Sequence, residues 1–262
     1  MTMDAASAPP APPAPAGMPA AEWTARLDLA CCYRLFDHLG WTELIFNHIT
    51  LRVDEAGEGS EARYLINPFG LHYAEVTPRN LICTDIGGNS QSESAYTVNK
   101  AGFVIHSAVH AARPDAHCIM HVHTTAGCAV ASKEEGLRHD NFYSAMMYGD
   151  VAYHDYEGVT TNLDEQPRLV RSLGRANHLI LRNHGLLTAG PDIPTAFNRL
   201  WTLQRACEIQ LASDAGRGAN RAIPAEILET VPATRVAGRG PVNRLVFEAM
   251  LRRAGISRAM FA

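Results

Sequence analysis

The sequence predicts one α/β domain built around a mixed or mainly antiparallel sheet. Three observations predict it. Apolar residues recur at helical spacing in some stretches and in short alternating or unbroken runs in others. The gaps between strand-like runs are irregular, some short enough for hairpins and others long enough for crossovers. The 262-residue chain is 47% hydrophobic and 19% charged, an ordinary globular composition with enough length for a full core.

The first 20 residues, rich in Pro and Ala, read as a disordered tail leaning to polyproline II. They lack the basic start and unbroken apolar run of a secretory signal. Residues 21–240 are expected to form the domain and 241–262 a C-terminal helical tail. Ala21 to Gly40 carries Trp23, Leu27, Ala30, Cys31 and Leu35 at helical spacing, with Gly40 placed to end the helix. HITLRV (48–53) alternates as a strand, DEAGEGSEA (54–62) is a polar turn and RYLIN (63–67) a second strand. NPFG (67–70) is a turn, and Leu81 to Thr84 a further short strand. Ala101 to Ala112 is helical and stops before Pro114. CIMHVHT (118–124) is an apolar strand broken by two histidines, followed by a small-residue helix over AGCAVAS (126–132). DVAYHDY (150–156) predicts a strand, Gln166 to Leu173 a helix, and HLILRNHG (178–185) a buried strand closed by glycine. Pro191 to Ala215 predicts a long amphipathic helix with Phe197, Leu200, Trp201 and Leu203 toward the core. Pro241 to Ala254 predicts a terminal helix ended by Gly255.

Composition removes several classes of function. The net charge is −4 with no basic block, so the clustered Lys and Arg that phosphate backbones require are missing, and no nucleic-acid partner is expected. No apolar run reaches the roughly 20 residues that span a bilayer, so no membrane partner is expected. Six scattered cysteines without a CxxC fit reduced, packed thiols and a cytoplasmic location.

The chemistry concentrates in histidines. His121 and His123 lie two apart on a predicted strand and share a face, and His184 ends another apolar strand beside Gly185. Three imidazoles among apolar residues each need a buried partner, and one shared cation supplies it. Three neutral imidazoles with an open fourth position suit catalytic zinc, with manganese, cobalt or iron as alternatives. A closed structural zinc site is disfavoured, because Cys118 lies three residues before His121 and points to the opposite face. His106 and His110 are four apart on one helix face and could line a site or equally form a surface pair.

The chain resembles the class II aldolase/adducin family. The resemblance rests on FNHITLR (46–52), INPFGLHYAEVTPRNLI (66–82), NKAGFVIHSAVHAARPDAHCIMHVHTTAGCAVAS (99–132), GDVAYHDYEG (149–158) and LILRNHGLLTAG (179–190). Its AGF-x-x-HSA and VAYHDYEG stretches are closer to the adducin-like branch than to the sugar-phosphate aldolases. The resemblance implies a three-layer α/β/α fold around a largely antiparallel sheet, usually assembled as a fourfold-symmetric homotetramer. It also implies one divalent cation on His121, His123 and His184, the residues already singled out.

Departures from the aldolases narrow the substrate. The acid/base glutamate of those enzymes aligns with Gly102, four residues before His106. Their phosphate cradle aligns with Phe46 before Asn47, Phe69 before Gly70, and Lys100 with Ala101. A phosphate dianion needs convergent N–H and hydroxyl donors, whereas two phenylalanines offer apolar walls. Phe46, Asn47, Phe69, Gly70 and Lys100 are therefore expected to contact an unphosphorylated, flat or apolar small molecule. The resemblance then implies a metal-dependent carbon–carbon lyase, an aldolase or decarboxylase, acting on a hydroxy, keto or hydroxy-aromatic acid through a metal-stabilised enolate. His106, Tyr148, Tyr153 and His154 are the candidates for proton delivery, with aromatic packing the competing role for the YHDY run. The alternative is an adducin-like binding or scaffold module without turnover.

Overall fold

The computed structural model describes residues 10–53, 62–159, 162–235 and 239–262. Its strands are β1 (His48–Val53), β2 (Arg63–Ile66), β3 (Ile82–Thr84), β4 (Cys118–Val122), β5 (Val151–His154), β6 (His178–Leu181) and β7 (Gly185–Gly190). They form one sheet in the order β3-β2-β1-β4-β7-β6-β5. Every pairing is antiparallel except β5 with β6, so the mainly antiparallel expectation holds. The helices are α1 (Ala20–His38), α2 (Lys100–Ala112), α3 (Thr125–Ala131), α4 (Phe142–Ala145), α5 (Gln166–Leu173), α6 (Ile193–Ala215), α7 (Ala225–Arg235) and α8 (Arg239–Arg253).

Strand alternation sorts the side chains into two cores. On one face Ile49, Leu51, Leu65, Cys118, Met120, Val122 and Leu186 pack with Leu35 and Phe36 of α1, Phe197 and Leu203 of α6, and Phe247 and Leu251 of α8. On the other face Ile119, Leu179, Leu181 and Leu187 pack with Ile105 and Val109 of α2 and Leu169 and Leu173 of α5. Helices thus cover both faces, giving three layers. The odd partners of this alternation, His48 and Thr50 on β1 and His121 on β4, fall on the α2 face, where His106 and His110 meet Thr50.

The bounds of most expected elements hold within one or two residues, while α4, α7 and β7 were not expected, and three points are informative. HLILRNHG does not form one strand: β6 ends at Leu181, residues 182–184 turn with Asn183 at φ +55°, and Gly185 opens β7. The terminal helix packs into the main core through Phe247 and Leu251. Of the N-terminal segment, residues 10–19 are described, and Trp23 Nε1 donates to the Pro12 carbonyl at 2.8 Å. The expected turn at 54–62 lies outside the described residues except for its last position. The cysteines are free thiols, buried except for the half-buried Cys128, as expected of packed, unbridged side chains. No helix among the described residues is long and apolar enough to cross a membrane.

Candidate metal centre and its pocket

His121 projects from β4 toward α2, between its ladder partners His48 on β1 and Leu187 on β7. β4 ends at Val122, so His123 sits in the link to α3, whose N-terminus Thr124 caps by accepting the Gly127 N–H at 3.3 Å. His184 comes from the β6–β7 turn, where its N–H donates to the Leu181 carbonyl at 3.1 Å. Its own carbonyl receives the Cys128 thiol at 3.1 Å.

The three rings form a nearly equilateral triangle, with centroids 4.6, 4.8 and 4.7 Å apart. One ring nitrogen from each lies within 4.8 Å of the others. Gly185 makes this approach possible, since a Cβ there would sit 2.4 Å from the Val122 carbonyl oxygen and 3.0 Å from the His123 ring.

The donor chemistry fits a divalent cation. His121 Nδ1 lies 2.9 Å from the Leu186 carbonyl, which can only accept, so the proton is on Nδ1 and Nε2 carries a bare lone pair. That lone pair faces His123 Nε2 at 2.8 Å. Burial pushes all three imidazoles below their ordinary pKa, His184 to about 4, with neighbouring imidazoles adding to the effect at His121 and His184. They are neutral at pH 7, the state in which imidazole binds a metal.

Beside the triad lies a cavity of about 340 Å³ lined by Phe46, Asn47, His48, Asn99, Gly102, Ile105 and, from the 156–159 segment, Tyr156, Gly158 and Val159, together with the three histidines. Among the described residues, no Asp, Glu, Lys or Arg lines it. The Phe46 and Phe69 rings stand 6.3 Å apart, so the two loops converge. Tyr33 holds them together: its hydroxyl accepts the backbone N–H groups of Ile49 at 2.9 Å and Asn67 at 3.2 Å, and contacts the Ile49 carbonyl at 2.6 Å. Asn47, with φ +67°, turns a buried amide into this pocket, and neither its Oδ1 nor its Nδ2 has a hydrogen-bond partner.

Other candidates lie elsewhere. The Tyr153 hydroxyl receives the Leu137 N–H at 3.0 Å, and the Arg182 guanidinium covers the ring at 4.4 Å. Tyr148 packs edge-on against His139, 5.2 Å between centroids. His154 is buried between Ser172 at 3.0 Å and Glu165 at 3.2 Å. None of these three lines the triad pocket. Lys100 is exposed at the start of α2, and Gly70, φ +102°, forms the turn after Phe69; neither lines the pocket. His106 is fully buried behind His48, ring centroids 4.1 Å apart.

Of the pocket residues that escaped the sequence reading, two carry titratable side chains. Tyr156, half-exposed with its ring 6.4 Å from His184, closes the YHDY run whose earlier members were chosen instead. His48 occupies the first position of β1, and its shared alternation with Thr50 was the available signal.

The layers and the converging imidazoles define a class of protein: an α/β/α domain with three histidines grouped closely enough to share one cation beside an apolar pocket. The chain belongs to the Class II Aldolase and Adducin N-terminal domain family, whose model matches residues 27–211. It is 42% identical over 238 residues to a Pseudomonas aeruginosa protein with a provisional class 2 aldolase name, covering 89% of this chain and 90% of that protein. It is 45% identical over 196 residues to mouse alpha-adducin, covering 74% of this chain but 26% of the adducin. Among solved structures, an aldolase II superfamily protein from Pseudomonas syringae matches with a TM-score of 0.84 and 39% identity, covering 90% of this chain and 94% of that one. An L-fuculose 1-phosphate aldolase from Glaciozyma antarctica matches with a TM-score of 0.76 and 28% identity, covering 94% and 97% respectively.

Proposed function

We propose that the protein is a divalent-metal-dependent carbon–carbon lyase, a decarboxylase or aldolase, acting on an unphosphorylated hydroxy, keto or hydroxy-aromatic acid. The observation that carries this reading is the convergence of three neutral imidazoles at the wall of an apolar pocket. His121, His123 and His184 hold the cation, zinc in the first instance. A cation bound there supplies Lewis acidity, which stabilises negative charge on a substrate oxygen as a carbon–carbon bond breaks.

The chain's own residues do the rest. Phe46, with Phe69 behind it, and Val159 give the substrate apolar walls and exclude water from the reacting end. Asn47 offers an amide to a substrate oxygen. Among the described residues the lining carries no Lys or Arg, which speaks against a phosphate group, since that would need cationic or multiple N–H partners. Tyr156 is the phenol at the mouth and our candidate for returning a proton to the product carbon. His106 belongs to the layer behind the pocket. The assembly that suits this reading is the homotetramer common in the family.

A second reading, a binding module without turnover, is favoured by one observation: among the described residues no carboxylate lines the pocket, Gly102 standing where the aldolases carry theirs. One experiment separates the two. Protein loaded with Zn or Mn is incubated with hydroxylated aromatic carboxylates and 2-keto-4-hydroxy acids, and CO2 or a cleaved keto acid is assayed. Turnover abolished by chelator and by His121→Ala supports the lyase. No turnover of either class at full metal occupancy supports the binding module.

A further inference from the structure

His48 and His106 present an unbalanced set of hydrogen-bonding groups at the pocket floor. The polarity of the network behind them is fixed by one carbonyl. His110 Nδ1 lies 2.8 Å from the Ala116 carbonyl, which only accepts, so the His110 proton is on Nδ1 and Nε2 is an acceptor. Thr50 Oγ1, 2.7 Å from His110 Nε2, must therefore donate its single proton there. The same oxygen lies 2.8 Å from His106 Nδ1 and can only accept from it. His106 thus carries its proton on Nδ1, and its Nε2 is a bare lone pair, buried and without a partner. His106 is fixed as an acceptor, not as the acid the sequence suggested.

Across from it, His48 is 3% exposed and lines the triad pocket; neither ring nitrogen makes a hydrogen bond to a side chain, and the Gly102 backbone lies close enough to act on the ring. A neutral imidazole owns one N–H and one lone pair. Between them the two rings hold two acceptors and one donor. Whichever way they pair, an acceptor is left over, and no described side chain donates into the pair. A buried acceptor left unsatisfied costs about 1–3 kcal/mol, so a ligand that brings a donor is rewarded.

Gly102 is what makes room for this arrangement. A Cβ at position 102 would lie 2.1 Å from His48 Cε1 and 2.4 Å from its Nδ1. The His48 ring fills the volume that any side chain at 102 would need. A carboxylate at 102 and this imidazole are mutually exclusive.

We propose that His48, backed by the His106–Thr50–His110 relay, is a specificity-determining subsite that accepts a hydrogen bond from a hydroxyl of the bound acid. The ligand class is a carboxylic acid carrying a hydroxyl near the carboxylate. This deepens the lyase reading and rests on it for the identity of the acid, but it is tested by binding, not by turnover.

The experiment compares matched pairs by calorimetry on the Zn-loaded full-length protein: hydroxy-aromatic and 2-hydroxy carboxylates, each against the same acid lacking the hydroxyl. The wild type is expected to prefer the hydroxylated member by about tenfold or more. His48→Phe, and independently Gly102→Ala, which forces the ring aside, should reduce that preference to near unity while Zn affinity changes less than about threefold. A ligand-free arm reads the tautomers: ring 15N shifts should place the His106 proton on Nδ1, and Thr50→Val should relax that preference. The proposal is overturned if the wild type shows no preference or binds no hydroxy acid. It is equally overturned if both variants keep the preference, or if His106 is protonated on Nε2. Zn affinity lost a hundredfold in His48→Phe would make His48 a ligand or a support instead. A preserved preference without any turnover would sink the lyase reading and leave this subsite standing.

Discussion

Gly185 is the position where one methyl group should separate the metal centre from the fold. In Gly185→Ala the new Cβ would stand 2.4 Å from the Val122 carbonyl oxygen, 3.0 Å from His123 Cδ2 and 3.3 Å from His121 Cε1. Ordinary contacts of carbon lie near ~3.5 Å, so β7 must back away from the end of β4 by most of an ångström. The obstacle is backbone, which no rotamer change can relieve. Overpacking of this kind costs about 1–3 kcal/mol, offset by the roughly 0.4–1 kcal/mol that alanine gains by restricting the unfolded chain. The larger effect falls on the cation. Leu186, whose carbonyl orients His121, follows directly in β7, so the shift loosens both the ligand's anchor and the His121–His123 spacing. Loss of such a support costs metal-binding sites about 10–100-fold in affinity. Zn titration against a competing chelator, with urea unfolding of the metal-free protein alongside, measures both effects. Zn affinity within threefold of the wild type, with the stability loss present, would refute the claim that Gly185 sets the triad.

Tyr33→Phe removes the hydroxyl that ties β1 to the Asn67 turn and should cost about 1–3 kcal/mol in denaturant unfolding, leaving two buried N–H groups unpaired. Metal-free protein should lose stability as pH falls below about 6.5, because His48 and His110 resist protonation until about pH 3 in the fold but take up protons near 6.5 when unfolded. At pH 5 each such ring contributes a loss of about 2 kcal/mol, visible as a falling urea midpoint; a flat midpoint between pH 7 and 5 would contradict it. Tyr153→Phe and Tyr148→Phe should leave substrate turnover and ligand binding within about twofold, since neither ring reaches the pocket, whereas Tyr156→Phe should slow turnover about 10²-fold or more.

Much of the architecture was legible from local patterns. β1 matches the expected strand at both ends because HITLRV alternates between apolar residues for the α1 core and polar ones for the α2 face. β7 was missed because GLLTAG is buried along its whole length, and a strand buried on both faces carries no alternation. The same gap put His184 at a strand end when it belongs to a three-residue turn. The triad itself could be read because its members stand in or just after the apolar runs CIM (118–120) and LIL (179–181). The proton-delivery candidates failed differently. Tyr153 and His154 lie on β5, beside the strand that leads to His184, but sequence cannot say that Leu137, Arg182, Ser172 and Glu165 already claim them. His48 was hidden by its own regularity, a histidine in a well-formed strand whose importance depends on Gly102, 54 residues later, having no side chain.

The cation tests all of this most directly. Metal content per chain is measured by mass spectrometry on untagged protein after loading with Zn or Mn and removal of excess. One ion per chain, reduced to background in His121→Ala and in His184→Ala with the fold retained, is the expected result. Less than stoichiometric metal after loading with either ion, or full metal in those variants, would contradict a centre built from His121, His123 and His184.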